Sequence, residues 1–166
     1  MNISKRVEDA INKQINAELY SSYLYLSMAG QFESQNLKGF AHWMQVQSGE
    51  ENTHAMKFYK YLNERAGTVA LSEIAKPKGK WKSALEAFED TLEHEQKVTD
   101  MIYRLVDTAT AEKDYATRYF LQWFVDEQVE EEANATEIVQ KLKMVGDSKT
   151  GLLMLDRHLG KRGSEK

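Results

Sequence analysis

Four carboxylates lie where this chain should carry apolar side chains. Glu18, Glu51, Glu95 and Glu131 each fall near the middle of a long pattern of apolar residues spaced three and four apart. Each sits on the apolar stripe of its pattern, not on the solvated face. His54 follows Glu51 by three residues and Gln128 precedes Glu131 by three, so both share those stripes. A lone buried carboxylate is costly and neutralises or finds a partner. Four converging in one layer repel each other strongly unless a cation sits between them. The economical reading is a metal site inside a bundle of helices.

The patterns themselves are long. The first runs from about residue 4 to 34, with Val7, Ile11, Ile15, Glu18, Ser22, Tyr25 and Ala29 facing inward. The second runs from about 37 to 66 (Phe40, Met44, Gln47, Glu51, His54, Phe58, Tyr61), and Gly67 is expected to cap its end. The third, about 83 to 112, opens on a Ser83-Ala84-Leu85-Glu86 capping box and carries Phe88, Leu92, Glu95, Val98, Ile102, Leu105 and Ala109. The fourth, about 115 to 145, is capped by Asp114 and carries Phe120, Phe124, Gln128, Glu131, Ala135, Ile138 and Leu142. A short fifth helix, about 148 to 160, bears Leu152, Leu153, Leu155 and Leu159. One proline, Pro77, in 166 residues is consistent with such long elements.

The break at Asn36 is short, which makes the first two helices antiparallel neighbours. The stretch from Thr68 to Lys82 is long for a helix–helix loop and can run the length of a bundle. The expected fold is therefore all-α: one domain, a four-helix bundle of two hairpins joined by a long crossover between helices 2 and 3, plus a short C-terminal fifth helix. Each main helix spans roughly 42–45 Å at about 1.5 Å per residue, with its carboxylate near the middle. Mid-helix positions stay level whichever way a helix runs, so all four carboxylates should share one layer.

In that layer Glu51-x-x-His54 offers an oxygen and a nitrogen to one ion, Gln128-x-x-Glu131 is the matching pair on the fourth helix, and Glu18 and Glu95 add one ligand each. Di-iron carboxylate bundles use one Glu from each of two helices and Glu-x-x-His from each of the other two. The chain departs from that template only where the second pair reads Gln-x-x-Glu. Carboxylates and imidazole suit Fe(II) or Mn(II), and the absence of cysteine removes any softer thiolate site. A single Glu-x-x-His is commonplace on solvated helices; four helices with aligned inward carboxylates are not.

Longer motifs carry a family resemblance. Asn16-Ala17-Glu18-Leu19-Tyr20-Ser21-Ser22-Tyr23-Leu24-Tyr25, Gly39-Phe40-Ala41-His42-Trp43-Met44, His54-Ala55-Met56-Lys57-Phe58-Tyr59 and the run from Phe120 to Glu132 resemble the ferritins, in particular the non-haem ferritins of bacteria and archaea. The resemblance covers essentially the whole chain. It implies a five-helix subunit assembling into a hollow 24-subunit shell. Each subunit would oxidise Fe(II) with dioxygen or peroxide, and the ferric oxyhydroxide would be stored in the cavity. It assigns Glu18, Glu51 and His54 to a first iron. Glu51 would bridge to a second iron held by Glu95 and Glu131, with Gln128 alongside. Glu50, Glu127 and Glu130, shared with Glu131, match a third, weaker iron position. Tyr25, two turns beyond Glu18 on the same face, matches a tyrosine that can supply an electron, and Trp123 is a weaker match to such a role.

Two departures stand out. Gly49 lies inside the second helix, where a glycine costs roughly 1 kcal/mol relative to alanine; it would either loosen the helix beside Glu50 and Glu51 or be tolerated on the surface. Asn52 replaces the methionine that ligates haem in bacterioferritins, so no haem is expected. A DNA-protecting mini-ferritin places its ligands between subunits and lacks a fifth helix. A rubrerythrin-like peroxide reductase needs cysteines. A catalytically idle shell subunit would not keep Glu18, Glu51, His54, Glu95 and Glu131 together. The N-terminus holds no apolar run fit for a signal peptide or a membrane span, and a net charge of −4 without a basic patch argues against nucleic acid. The expected compartment is the cytoplasm.

Overall fold

A computed structural model of the chain describes residues 2–164. Five helices follow in order: α1 (Lys5–Ser34), α2 (Lys38–Glu64), α3 (Ala84–Ala111), α4 (Tyr115–Val145) and α5 (Lys149–Leu159). No strand occurs among the described residues. The fold is the all-α bundle expected: α1 packs along α2, α3 along α4, and α5 rests mainly on α2.

The helix starts follow local chemistry. The side-chain oxygens of Ser4, Ser83, Asp114 and Ser148 accept from the backbone N–H groups of Val7, Glu86, Thr117 and Gly151 at 3.0–3.3 Å. Helix α2 is the exception, because Leu37 at its N-cap has no side-chain acceptor. Its Phe40 N–H donates instead to Asp156 Oδ1 of α5 at 2.9 Å. A carboxylate from the C-terminal helix thus caps the second helix and places a negative charge at the positive end of its dipole. The approach is close: a Cβ on Gly39 would fall 1.6 Å from the Asp156 carbonyl oxygen. Glycine is required here for space, not for its backbone angles.

Three helix ends share one solution, and it corrects the expected role of Gly67. Helix α2 stops at Glu64, and Ala66, not Gly67, takes the left-handed conformation with φ 54°. Ala66 N–H donates to Asn63 O and Gly67 N–H to Leu62 O at 3.0 and 2.9 Å, the paired bonds of a Schellman motif. Gly67 stands one position further on, where a Cβ would come within 2.5 Å of Leu62 Cδ1. Helices α1 and α3 end in the same way through Asn36 and Lys113, at φ 58° and 54°.

The crossover is extended and held by side chains of α1. Asn12 bonds the backbone of Thr68 and Ala70, Asn16 that of Ser72 and Glu73, Ser27 that of Lys78, and Gln31 both the N–H and the carbonyl of Trp81. From Asn12 to Gln31 is roughly 28 Å of helix at about 1.5 Å per residue. The segment therefore runs up the bundle beside α1 and returns the chain to the other end. Trp81 anchors its arrival: it is buried, and its Nε1 donates to Asp90 at 2.8 Å.

The core is divided. One apolar cluster holds Met28, Phe32, Phe40, Met44 and Phe88 with their neighbours. The other holds Val7, Ile11, Phe58, Leu62, Ile102 and Leu121. Between them lies a buried polar layer containing Glu18, Gln47, Glu51, His54, Glu95, Gln128 and Glu131. Gly49 does not break α2, and a Cβ there would meet only open space. It is a tolerated surface position.

Replacing Asp156 with alanine should cost about 1 kcal/mol, the usual worth of an N-cap acceptor. Amide exchange at Phe40 should quicken and α5 should loosen, while the layer of Glu18, Glu51, Glu95 and Glu131 keeps its protection.

Candidate metal centre

Each of the four helices brings its carboxylate to the layer at the same height. Glu18, Glu51 and Glu95 are each 1% exposed and Glu131 is 4% exposed. No lysine or arginine neutralises them: among the described residues their ion pairs are with His54 alone. Its Nδ1 lies 3.2 Å from Glu51 Oε2 and 4.0 Å from Glu18 Oε2. Glutamines supply the remaining donors. Gln14 Nε2 donates to Glu18 Oε1 at 2.8 Å. Gln47 Nε2 donates to both Glu51 Oε1 and Glu131 Oε2, at 3.0 and 2.7 Å. Gln128 Nε2 contacts the carboxylate and backbone oxygens of Glu95 and the Thr99 hydroxyl, each at 3.2 Å. The Tyr25 hydroxyl donates to Glu95 Oε1.

One atom is served by no amide, hydroxyl or imidazole donor among the described residues. Glu18 Oε2 is buried and without a hydrogen-bond partner, and it points toward Glu51 and His54. An oxygen so placed can be served by a proton shared with the Glu51 carboxyl, or by a cation held among Glu18, Glu51 and His54.

Three groups of ligand atoms each fit within 4.8 Å: Glu18, Glu51 and His54; Glu51, Glu95 and Glu131; and His54, Glu127 and Glu131. Glu51 belongs to the first two, so its two oxygens can serve two cations. His54 and Glu131 connect these pockets to the third, where His54 Nε2 stands 3.7 Å from Glu127 Oε1. Glu50 and Glu130 join none of these groups. Glu50 is half-exposed and its Oε2 is bound by Arg162 at 2.6 Å, while Glu130 faces solvent. Asn52 is exposed on the outer side of α2.

Tyr25 is fully buried against Glu95. Its neighbour His94 packs edge-on, 5.9 Å between centroids, and accepts from or donates to Ser21 at 2.7 Å. Trp123 packs edge-on to His54 at 5.4 Å, but its face is covered by the Lys57 ammonium 3.0 Å from the ring centroid. A cation over the indole disfavours loss of an electron from it.

Burial dominates the electrostatics. It raises the carboxyls of Glu18 and Glu51 well above the ordinary range, helped in Glu18 by Glu51 and in Glu51 by Glu95 and Glu131. Glu95 and Glu131 are pushed up to about 7 by the same burial, with the Tyr25 and Gln128 hydrogen bonds partly offsetting it in Glu95, and with the charge of Glu95 adding to it in Glu131. Burial and the Glu95 charge also raise the Tyr25 phenol. Burial thus favours the protonated form of all four carboxyls.

Sequence reasoning gave Gln47 an inward position but no task, and passed over Gln14 and Arg162. Gln14 and Gln47 each stand four residues before a ligand carboxylate, the spacing of a same-face pair, so a signal for them was present. Arg162 donates from its guanidinium to Gln47 Oε1 at 2.8 Å across 115 residues of sequence. No local pattern announces that.

The geometry gathers, inside a four-helix bundle and from one chain, three overlapping sets of carboxylates and imidazole that could hold metal ions. The sequence pattern of the family described as the ferritin-like domain matches residues 8–145, and this chain belongs to that ferritin family. It is 48% identical over 160 residues to a bacterial non-heme ferritin of Bacteroides fragilis, covering 96% of this chain and 99% of the relative. It is 42% identical over 157 residues to that of Campylobacter jejuni, covering 95% and 94%. The solved open pore ferritin of the hyperthermophilic archaeon Archaeoglobus fulgidus superimposes with a TM-score of 0.96 at 53% identity, over 96% of this chain and 98% of that one.

A pH titration of metal-free protein has a definite sign. Glu95 and Glu131 keep protons in the folded chain that the unfolded chain has released, so the folded state is favoured below their unfolded value and loses that advantage as pH rises. Each group moved from 4.5 to about 7 contributes on the order of 3 kcal/mol across that window. Unfolding free energy of the metal-free protein should therefore fall between about pH 4.5 and 7. Glu131→Gln should flatten the slope, and so should loading with a divalent cation. A slope that is identical in Glu131→Gln would contradict the assignment.

Proposed function

We propose that the protein is an iron-storage ferritin. Fe(II) is the substrate: it is oxidised with dioxygen at the buried centre, and the ferric oxyhydroxide is kept inside a shell of 24 copies in the cytoplasm. The observation that carries the reading is the pairing of an undonated Glu18 Oε2 with a Glu51 that serves two ligand groups. Glu18, Glu51 and His54 hold one Fe(II), and Glu51, Glu95 and Glu131 hold the second. Entry of each cation expels protons from carboxyls that burial keeps protonated. Two ferrous ions yield two electrons, which with two protons take dioxygen to hydrogen peroxide. Hydrolysis of the ferric product frees more protons, and the product moves to the cavity.

Other residues shape the step without holding the pair. Gln47 and Gln128 fix the orientation of Glu51, Glu131 and Glu95 by donating to them. Where a third Fe(II) is also oxidised, Tyr25 can supply the fourth electron that takes dioxygen to two waters, its phenolic proton passing to Glu95. Glu127, beside His54 and Glu131, is the most inward of the three carboxylates matching a third iron position; Glu50 and Glu130 complete that set only by moving. Because the ligand atoms come from one chain, the arrangement supports an intra-subunit centre over the inter-subunit site of a mini-ferritin. The orphaned oxygen supports a working site over an idle shell subunit. No helix is long and apolar enough to cross a membrane.

Mixing the metal-free protein with Fe(II) in air should give a fast phase that consumes two Fe(II) per subunit, read from absorbance and oxygen uptake. Glu51→Ala combined with His54→Ala should abolish that phase and leave the shell assembled by light scattering. Unchanged kinetics in that variant would overturn the site. In a separate test, Tyr25→Phe should still oxidise two Fe(II) rapidly but should lose any tyrosyl radical signal seen by freeze-quench EPR; a persisting signal would move the role to another aromatic residue.

A further inference from the structure

Arg162 lies just beyond α5, far in sequence from the metal layer, yet its guanidinium is held by several contacts at once. Its NH2 group donates to Gln47 Oε1 at 2.8 Å and to Glu50 Oε2 at 2.6 Å, and its NH1 group to the Trp43 carbonyl at 3.2 Å. The guanidinium carbon stands 4.2 Å from the centroid of the Trp43 ring. The Arg162 carbonyl is 2.9 Å from His42 Nε2, which ties the backbone as well. Its side chain is 19% exposed. A planar guanidinium fixed by stacking and a fork of acceptors is preorganised, unlike a lysine on a surface.

The place it occupies matters. Gln47 donates to Glu131, and the negative charge of Glu50 is one of the influences that raise the Glu131 carboxyl. Through the Arg162 guanidinium and Gln47, Glu50 is joined by hydrogen bonds to Glu131, one wall of the pocket formed by His54, Glu127 and Glu131. A cation entering that pocket would meet a fixed positive charge and would find Glu50 already bound. We propose that Arg162 is a positioning residue that keeps a third cation weak by holding Glu50, so that binding in the His54–Glu127–Glu131 pocket and the Arg162–Glu50 pair exclude each other. This rests on the reading of the layer as a metal centre. It makes the C-terminal segment the element that sets how many cations a subunit holds.

Zn(II), which does not change oxidation state, is the probe, titrated calorimetrically into the metal-free assembled protein. Wild type should bind two ions tightly and a third weakly. Arg162→Gln should tighten the third by roughly fivefold or more, the size of a partly exposed ion pair. Arg162→Lys, which keeps a charge but not the stacked fork that holds Glu50, should tighten the third ion by less than Arg162→Gln does, and Glu50→Gln added to Arg162→Gln should cancel the gain. An unchanged third affinity in Arg162→Gln, or a gain that survives Glu50→Gln, overturns the proposal. Absence of the two tight ions in wild type overturns the metal-centre reading itself. In unaltered protein, amide exchange of residues 160–164 should quicken on the third equivalent of Zn(II) and not on the first two; exchange that is indifferent to the third equivalent also overturns it.

Discussion

Everything in this chain is arranged around the mutual repulsion of four buried carboxylates. Glu18, Glu51, Glu95 and Glu131 sit in one layer and, among the described residues, pair with no lysine or arginine. A protein has few ways to tolerate this. It can protonate the groups, donate hydrogen bonds to them, or supply a cation. The first two operate in the metal-free chain: burial raises the carboxyls, and Gln14, Gln47, Gln128 and Tyr25 donate to them. None of these donors reaches Glu18 Oε2. The third is the one the layout favours, since a divalent cation satisfies several oxygens at once and the glutamines then serve to aim them.

The layer also dictates the scaffold. A polar plane through the middle of a bundle removes apolar area where it would count most, so the stabilising burial must come from above and below it. The two clusters around Phe40 and Phe88 and around Phe58 and Leu121 do this. Helices of this length give each cluster several turns of apolar contact. Short helices could not carry a charged layer and two cores. The extended crossover belongs to the same solution. It lets the second hairpin pack so that α3 and α4 bring Glu95 and Glu131 opposite Glu18 and Glu51, and its backbone is satisfied by Asn12, Asn16, Ser27 and Gln31.

What the sequence made legible was what repeats or caps locally. Apolar spacing located the helices, and carboxylates on the wrong face located the layer, because each violates a periodicity that surrounding residues establish. Ser83 and Asp114 announced helix starts for the same reason: their partners are three residues away. What stayed hidden was contact across long separations. The capping of α2 by Asp156 joins residues 116 apart, and the grip of Arg162 on Gln47 joins residues 115 apart. Neither leaves a periodic trace. Gly67 misled for a subtler reason. Glycine after a helix suggests a left-handed cap, yet here the tight approach of Leu62 demands it and Ala66 takes the left-handed position. Glu50 and Glu130 show the same limit: helical spacing places them near Glu131, but whether they turn inward depends on neighbours such as Arg162 that spacing does not encode.

The hydrogen bonds around the layer also bear on how it can exchange cations. A site whose carboxylates were all locked by arginines would be stable empty and slow to load. A site with no donors would have to reorganise each time a cation left. Neutral amides fall between these. Gln47 donates to Glu51 and Glu131 through one nitrogen while its oxygen is held by Arg162. Its orientation is therefore set from outside the layer, and through it the aim of Glu51 and Glu131. Because the donors are uncharged, they do not repel an incoming cation. The work of fixing geometry is thereby separated from the work of neutralising charge, which suits the proposed centre, where a metal ion would bind, change its charge and leave.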